Sequence, residues 1–166
     1  MQLDATDLRL LDILQNDASL SNQDLAERAL TSPATALRRL RRLQDAGVIE
    51  RRVALINLQA LHVSVGGDIG GAAAGLTALV EVTLDRQGAE HLAAFETRAV
   101  AESVVQQVYG VTPGPDFLLV LQVADMPAYH ALVQRLFTQD ANVRNVKAFF
   151  SVKRAKFDTR VALPLG

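Results

Sequence analysis

Arginines cluster within one short stretch of this chain. Residues 28–52 contain seven arginines and two acids, a local net charge of +5, whereas residues 1–27 contain one arginine and six acids. A guanidinium group forms forked hydrogen bonds with phosphate and with the O6 and N7 edge of guanine. The overall net charge of −1 therefore conceals a basic stripe of the kind that binds nucleic acid.

Four of these arginines lie on a helix that the sequence predicts over residues 33–46. Ser32 is a favourable N-cap, Pro33 suits the first helical position, and Gly47 suits the position just after the helix. Successive residues turn by about 100°, which gives this helix an apolar back and a basic front. The back is formed by Ala36, Leu37, Leu40 and Leu43; on the front, Arg38 and Arg42 point nearly opposite the back, with Arg39 and Arg41 on either side.

Two shorter helices are predicted before the basic one, over residues 6–15 and 22–29, and a strand or small wing is predicted after it over residues 48–56. This order is typical of a winged helix-turn-helix, in which early residues of the second helix of the motif reach base edges in the major groove. The alternative is that the arginines form only a solvated helix face. The predicted DNA-binding residues are Ser32, Ala34, Thr35, Arg38, Arg39, Arg41, Arg42, Arg51 and Arg52.

The second half of the chain has a different pattern. Residues 62–75 hold five of the ten glycines, which predicts a flexible linker. After it, strands are predicted over 76–84, 104–111, 117–124 and 143–153, with helices over 87–100 and 129–137. The order is βαββαβ, a ferredoxin-like arrangement. We therefore predict an α+β protein of two domains: residues 1–57, a linker over 58–75, and residues 76–166.

Several classes of site are not expected. The chain has no cysteine, which excludes disulfides and thiolate chemistry. His62, His91 and His130 have no second ligand at metal-binding spacing, and no catalytic triad or nucleotide-binding glycine motif is visible. No apolar run reaches the ~20 residues that span a bilayer. We expect a cytoplasmic protein that is not an enzyme and needs no metal or cofactor.

Specific motifs then indicate a family. The segment SPATALRRLRRL over 32–43, followed by AGVI over 46–49, closely resembles the Lrp/AsnC (feast/famine) regulators. So do LDATDL over 3–8 with LDIL over 11–14, DMPAY over 125–129, and VALPL over 161–165. The resemblance implies a transcriptional regulator that binds double-stranded DNA. It also implies a C-terminal domain that forms homodimers, often assembled further to octamers, and binds an amino-acid effector between subunits.

By resemblance, the effector site lies near the loop that joins the second and third strands. This sequence departs from the family at that site: Pro113 replaces a glycine, Phe117 replaces a tyrosine, and Ala148 replaces a residue that is often polar. Away from the site, the glycine-rich linker is longer than is usual in the family. A proline has no N–H to donate to an effector carboxylate. The residues carried over are Val111, Thr112, Pro113, Gly114, Asp116, Phe117 and Ala148.

Two alternatives stay open at this stage. Asp116 could only cap its turn, with the prolines stiffening the loop. The whole chain could instead be a metabolite-sensing, ferredoxin-like assembly protein without a role on DNA, although the basic front of the third helix argues against this.

Overall fold

The computed structural model of the chain describes residues 2–57, 60 and 75–164. The chain divides into two compact units: the first contains residues up to Leu55 together with the segment that starts at Ala155, and the second is Ile56–Arg154. The linker predicted over 58–75, including His62, lies outside the described residues except at positions 60 and 75.

Three helices form the first unit: α1 (Ala5–Asn16), α2 (Asn22–Arg28) and α3 (Pro33–Asp45). Each begins where a polar side chain accepts a hydrogen bond from the free N–H groups of the first turn, namely Asp4, Ser21 and Ser32. Gly47 follows α3 with φ +69°, a conformation in which a residue without Cβ is unstrained. These findings confirm the three predicted helices to within one residue at each end.

The core of the first unit is small and aliphatic. Leu10 of α1 and Leu25 of α2 meet the inner side of α3, where Leu40 and Leu43 are also buried. The remaining buried members are Ala26, Ala29 and Ala36. Alanines at these positions let the three short helices approach closely, which fixes the inner face of α3 and so determines which face it presents outward.

The strand predicted over residues 48–56 is wrong. Of the residues that the structure describes, none pairs with this segment, and Val53, Leu55 and Ile56 are 60–65% exposed. β-branched residues favour an extended backbone, but a strand also needs a neighbour to pair its N–H and C=O groups. Within a single chain, residues 51–57 form no regular secondary structure.

Residues 155–164 belong to the first unit, although the sequence had assigned them to the second domain. We call this segment the tail. Arg160 binds the Asp12 carboxylate of α1 at 2.9 Å. The backbone N–H of Val161 donates to Oε1 of Gln15 at 2.7 Å, and Nε2 of Gln15 donates to the Val161 carbonyl at 3.2 Å. Both ends of the described chain therefore build the first unit.

The second unit has the predicted βαββαβ order. Its sheet is antiparallel throughout, with strand order β2-β3-β1-β4. The last helix continues as a π-helical turn over Val133–Thr138. The elements are β1 (Leu76–Leu84), α4 (Ala89–Ala101), β2 (Val105–Gly110), β3 (Phe117–Val123), α5 (Met126–Leu132) and β4 (Val143–Phe150).

Both helices cover one face of this sheet. Alternate residues of β1 (Ala78, Val80, Val82 and Leu84) and of β3 (Phe117, Leu119, Leu121 and Val123) are buried in one cluster with Phe95 of α4 and Leu132 of α5. The opposite face carries exposed apolar side chains, listed here as Leu79, Tyr109, Leu118 and Phe149. None of the helices in the described part of the chain is long and apolar enough to cross a bilayer.

Candidate nucleic-acid interface and effector loop

One face of α3 is open to solvent and carries two free cations. Arg38 and Arg41 are exposed, and neither forms an ion pair with any described residue. They line a shallow groove of about 620 Å³ along the helix, whose other lining residues are Ala34, Leu37, Arg42, Asp45 and Ala46. A helix fits the major groove of DNA, and unpaired guanidinium groups on its outer face suit both phosphate and guanine.

The other two arginines of α3 are held against α1. Nη1 of Arg39 lies 2.9 Å from one carboxylate oxygen of Asp7 and 2.7 Å from Asp4. Nη2 of Arg42 lies 2.5 Å from the other oxygen of Asp7. The side chain of Asp7 has 0% exposure, against 19% for Arg39 and 42% for Arg42. We call Asp4, Asp7, Arg39 and Arg42 the anchor.

The anchor is electrostatically matched. The pKa of Asp4 falls to about 2, first because the Asp7 backbone N–H donates to its carboxylate and then because Arg39 binds it. Burial raises the pKa of Asp7, but hydrogen bonds from the Asp4 N–H, Arg39 and Arg42 outweigh this, and the net pKa lies below its ordinary value. Both carboxylates are therefore charged at neutral pH, and they fix the orientation of α3 through two of its arginines.

The start of α3 is built by its cap. The hydroxyl oxygen of Ser32 accepts a hydrogen bond from the Thr35 N–H at 3.2 Å, and the Ser32 hydroxyl donates to Oγ1 of Thr35 at 2.9 Å. Asn22 of α2 donates to the Pro33 carbonyl at 2.8 Å, which ties the two helices together. Ser32 and Thr35 thus have a structural partner in each other, while Ala34 is exposed.

Arg51 and Arg52 lie outside α3, in the segment without regular structure. Both are exposed, and the contact of Arg51 with Glu50 is long, at 3.8 Å between two side chains that face solvent. An ion pair of this kind contributes little. Both guanidinium groups are accordingly available to an anionic partner.

In the second unit, the predicted effector loop connects β2 to β3 and is fastened to β1 through Asp116. The Asp116 carboxylate accepts a hydrogen bond from the Leu84 N–H at 2.7 Å. Its own N–H donates to the Val82 carbonyl at 2.9 Å, and its carbonyl accepts from the Val111 N–H at 3.1 Å. The Asp116 carboxylate therefore has a structural partner in β1, which fastens the loop to the neighbouring strand rather than capping its own turn. Thr112, Pro113 and Gly114 are exposed at the tip, and the Thr112–Pro113 peptide is cis.

Two predicted effector residues lie elsewhere. Phe117 is buried in the core, with its ring centroid 4.9 Å from that of Phe95. Ala148 of β4 stands opposite Val80 of β1 and packs against the same core. Neither side chain is brought to the loop tip, because strand alternation directs both toward the helices.

Across 2–57, 60 and 75–164, no three His, Asp or Glu side chains come together as metal ligands would. His91 contacts Glu90 at 3.6 Å on α4, and His130 is exposed on α5.

Sequence reasoning missed two features of α3. The first is Arg42, which was predicted to point away from the core but turns toward Asp7. The second is Leu37, which was predicted to lie on the apolar back of the helix but is 39% exposed. A signal for the first was present, because Asp4 and Asp7 have the spacing of a capping box and are the first two acids of the chain.

Comparison with known proteins agrees with both units. Residues 3–50 match the family model of winged helix-turn-helix DNA-binding domains, and residues 77–161 match that of the Lrp/AsnC ligand-binding domain. The chain is 33% identical over 161 residues to an uncharacterized HTH-type transcriptional regulator of Haemophilus influenzae, covering 97% of this chain and 89% of that protein. It is 33% identical to the leucine-responsive regulatory protein of Rhizobium meliloti, covering 94% and 93% respectively.

Solved structures agree as well. A transcriptional regulator of Neisseria meningitidis, crystallised in complex with L-methionine, superimposes with a TM-score of 0.80 at 29% identity and covers 98% of each chain. These matches support the interpretation as a regulator and give no support to the alternative of an assembly protein without a role on DNA. The chain belongs to the Lrp/AsnC family of helix-turn-helix transcriptional regulators.

Proposed function

We propose that this protein regulates transcription by placing the exposed face of α3 in the major groove of double-stranded DNA, as a homodimer that responds to an amino acid. The proposal rests on a difference among the arginines of α3. Arg39 and Arg42 form ion pairs with Asp7 of α1, whereas Arg38 and Arg41 face solvent beside Ala34.

The arginines receive different roles under this proposal. Arg38 and Arg41 read base edges, with guanine as the preferred partner. Arg51 and Arg52 bind backbone phosphate, and Arg42 can do so with the part of its side chain that stays exposed. Arg39 acts through α1 as a positioning residue. Ser32 and Thr35 shape the N-terminus of α3, where backbone N–H groups favour a phosphate.

DNA binding is tested by fluorescence anisotropy with a duplex from upstream of the protein's own gene and with an unrelated duplex. We expect Arg38→Ala or Arg41→Ala to weaken binding to the specific duplex by about 1–3 kcal/mol. Arg51→Ala should weaken both duplexes alike and reduce the salt slope by about 1. Arg144→Ala, on the second unit, is the control. Unchanged affinity in the Arg38→Ala/Arg41→Ala double variant would remove α3 from the interface.

Dimerisation is supported by the helix-free face of the sheet. On this face Leu79 stands opposite Phe149 of β4 and Val120 of β3, and Leu118, two residues before Val120, stands opposite Tyr109 of β2. Leu79, Leu118, Tyr109 and Phe149 are exposed. A contiguous apolar patch of this kind is typical of a protein interface. A pair of helix-turn-helix units also matches two half-sites on DNA. Assembly of dimers into an octamer is expected from the family.

Light scattering tests the dimer. Leu79→Glu and Phe149→Glu should each shift the protein toward a monomer, since a charge in the centre of an apolar interface is unfavourable. Val100→Glu is the matched control, because Val100 is exposed on α4, outside that face. A wild-type protein that is monomeric at micromolar concentration contradicts the proposal.

The effector is proposed to be an amino acid bound at the tip of the β2–β3 loop. The support is the methionine complex of the Neisseria protein and the leucine response named for the Rhizobium protein. Backbone groups of Thr112 and Gly114 are open there, and Asp116 supplies the nearest charge on the loop. Leucine and methionine, the two amino acids named for these proteins, are hydrophobic, so we expect a hydrophobic effector rather than a charged one.

Calorimetry with all twenty amino acids tests the effector. We expect heat with leucine or methionine, and loss of binding in Asp116→Asn, which keeps an acceptor for the Leu84 N–H but loses the charge that would face an ammonium group. Binding that is unchanged in the variant removes Asp116 from the site. The absence of heat with every amino acid contradicts this part of the proposal.

Because the proposed partner is genomic DNA, the proposed place of action is the cytoplasm of a bacterial or archaeal cell. The proposal assigns the protein no catalytic activity.

A further inference from the structure

Leu37 is the exception among the leucines of α3. Leu40 and Leu43 are at most 6% exposed and lie inside the core, whereas Leu37 is 39% exposed and belongs to neither buried cluster. Its side chain lines the groove that Arg38 and Arg41 share. An apolar side chain thus lies beside two cations on the exposed side of the helix.

The surroundings of Leu37 decide what can cover it. A partner seated on Leu37 would also cover Arg38 and Arg41, so it must supply hydrogen-bond acceptors for two guanidinium groups as well as an apolar group. DNA satisfies both requirements at once, since the major groove presents acceptors on guanine and one apolar group, the 5-methyl of thymine. Leu37 immediately precedes Arg38 and lies one turn before Arg41, so the three side chains reach neighbouring base pairs.

We propose that Leu37 is a specificity-determining residue that packs against the 5-methyl group of a thymine in the operator. This inference rests on the proposed entry of α3 into the major groove. It adds a preference that the arginines alone cannot supply: a thymine beside the guanines that Arg38 and Arg41 read.

The test removes the methyl group and nothing else. The preferred duplex is selected from random sequences with the full-length protein, and each thymine is then replaced singly by deoxyuridine, which keeps every hydrogen-bonding group. We expect the wild type to lose about three- to fivefold in affinity at one or two positions per half-site, the effect of burying about one methyl group. Leu37→Ala should bind the thymine and deoxyuridine duplexes equally at those positions.

Two variants keep the outcomes distinct. Leu30→Ala changes another exposed leucine of the first unit, in the turn before α3, and should discriminate thymine from deoxyuridine like the wild type. Leu37→Ala should retain its far-UV circular dichroism, because alanine favours helix. Discrimination that persists in Leu37→Ala overturns the inference, as does a change of oligomeric state in that variant.

The two proposals fail in different ways. If the wild type binds every deoxyuridine duplex as tightly as the parent while Arg38→Ala weakens binding, the role of Leu37 is refuted and the role of α3 stands. If neither Arg38→Ala nor Leu37→Ala alters binding, α3 does not enter the groove and both proposals are refuted.

Discussion

Replacing Asp7 by asparagine tests the anchor directly. The carboxylate is fully buried and accepts hydrogen bonds from Arg39 at 2.9 Å, from Arg42 at 2.5 Å and from the Asp4 N–H at 3.1 Å. A hydrogen bond to a charged group contributes about 1.5–3 kcal/mol. Asparagine retains one acceptor but turns an N–H₂ group toward a guanidinium donor.

The two arginines that bind Asp7 limit the loss of stability in this variant. Arg39 keeps its bond to Asp4, and Arg42 is exposed enough to be solvated when Asp7 is gone. We therefore expect Asp7→Asn to lower the free energy of unfolding by about 2–3 kcal/mol, less than the ~3–5 kcal/mol of a fully buried pair.

Urea unfolding resolves this effect by unit. Both tyrosines, Tyr109 and Tyr129, lie in the second unit, so tyrosine fluorescence follows that unit, while far-UV circular dichroism follows the helices of both. Asp7→Asn should move the circular-dichroism transition to lower urea more than the fluorescence transition. Glu27→Gln makes the same charge change on an exposed side chain of α2 and should move neither. An Asp7→Asn protein with the wild-type transition would refute the account of the anchor.

Three further predictions concern stability. The pKa of Asp4 in the folded protein, about 2, and the lowered pKa of Asp7 lie below the ordinary carboxyl value of about 4. The two carboxylates therefore stabilise the folded state above that ordinary value, and this stabilisation is lost as pH falls through the folded pKa values. In an acid titration followed by circular dichroism, the stability of Asp7→Asn should accordingly depend less on pH than that of the wild type. Leu30 has φ +55° and is 82% exposed, so Leu30→Gly should raise stability by about 1 kcal/mol in thermal unfolding, whereas Leu30→Ala, which keeps Cβ, should not. Asp116→Ala leaves the N–H of buried Leu84 without its acceptor and should lower the free energy of unfolding by about 1–3 kcal/mol, with Asp116→Asn closer to wild type; equal melting temperatures for both variants would contradict a stabilising contact between Asp116 and Leu84.

Local rules were sufficient for most of the fold. The capping residue Ser32 located the start of α3, and Gly47 located its end. Both signals depend on neighbours in the sequence alone. For the same reason the βαββαβ order could be predicted without any knowledge of which strands pair.

The errors in the predictions from sequence occurred where a residue far away in the sequence determines the local structure. The segment over 48–56 has the composition of a strand but lacks a partner in the described chain. Arg42 turns inward because Asp7, more than thirty residues earlier, offers a buried charge. Helical periodicity assigned Leu37 to the back of α3, but Leu37 is 39% exposed and belongs to no buried cluster of the described residues. In each case the sequence pattern was sound and the packing of another element overrode it.

The tail has a consequence for biosynthesis. Its contacts join residues 146 and 148 positions apart, so α1 leaves the ribosome well before the residues that bind its Asp12 and Gln15. At about 5–20 residues per second, this interval lasts roughly 7–30 seconds. Throughout that time α1, α2 and α3 are present without the tail, and the second unit is completed first. Until then, the tail of a neighbouring copy finds the same surface of α1 open.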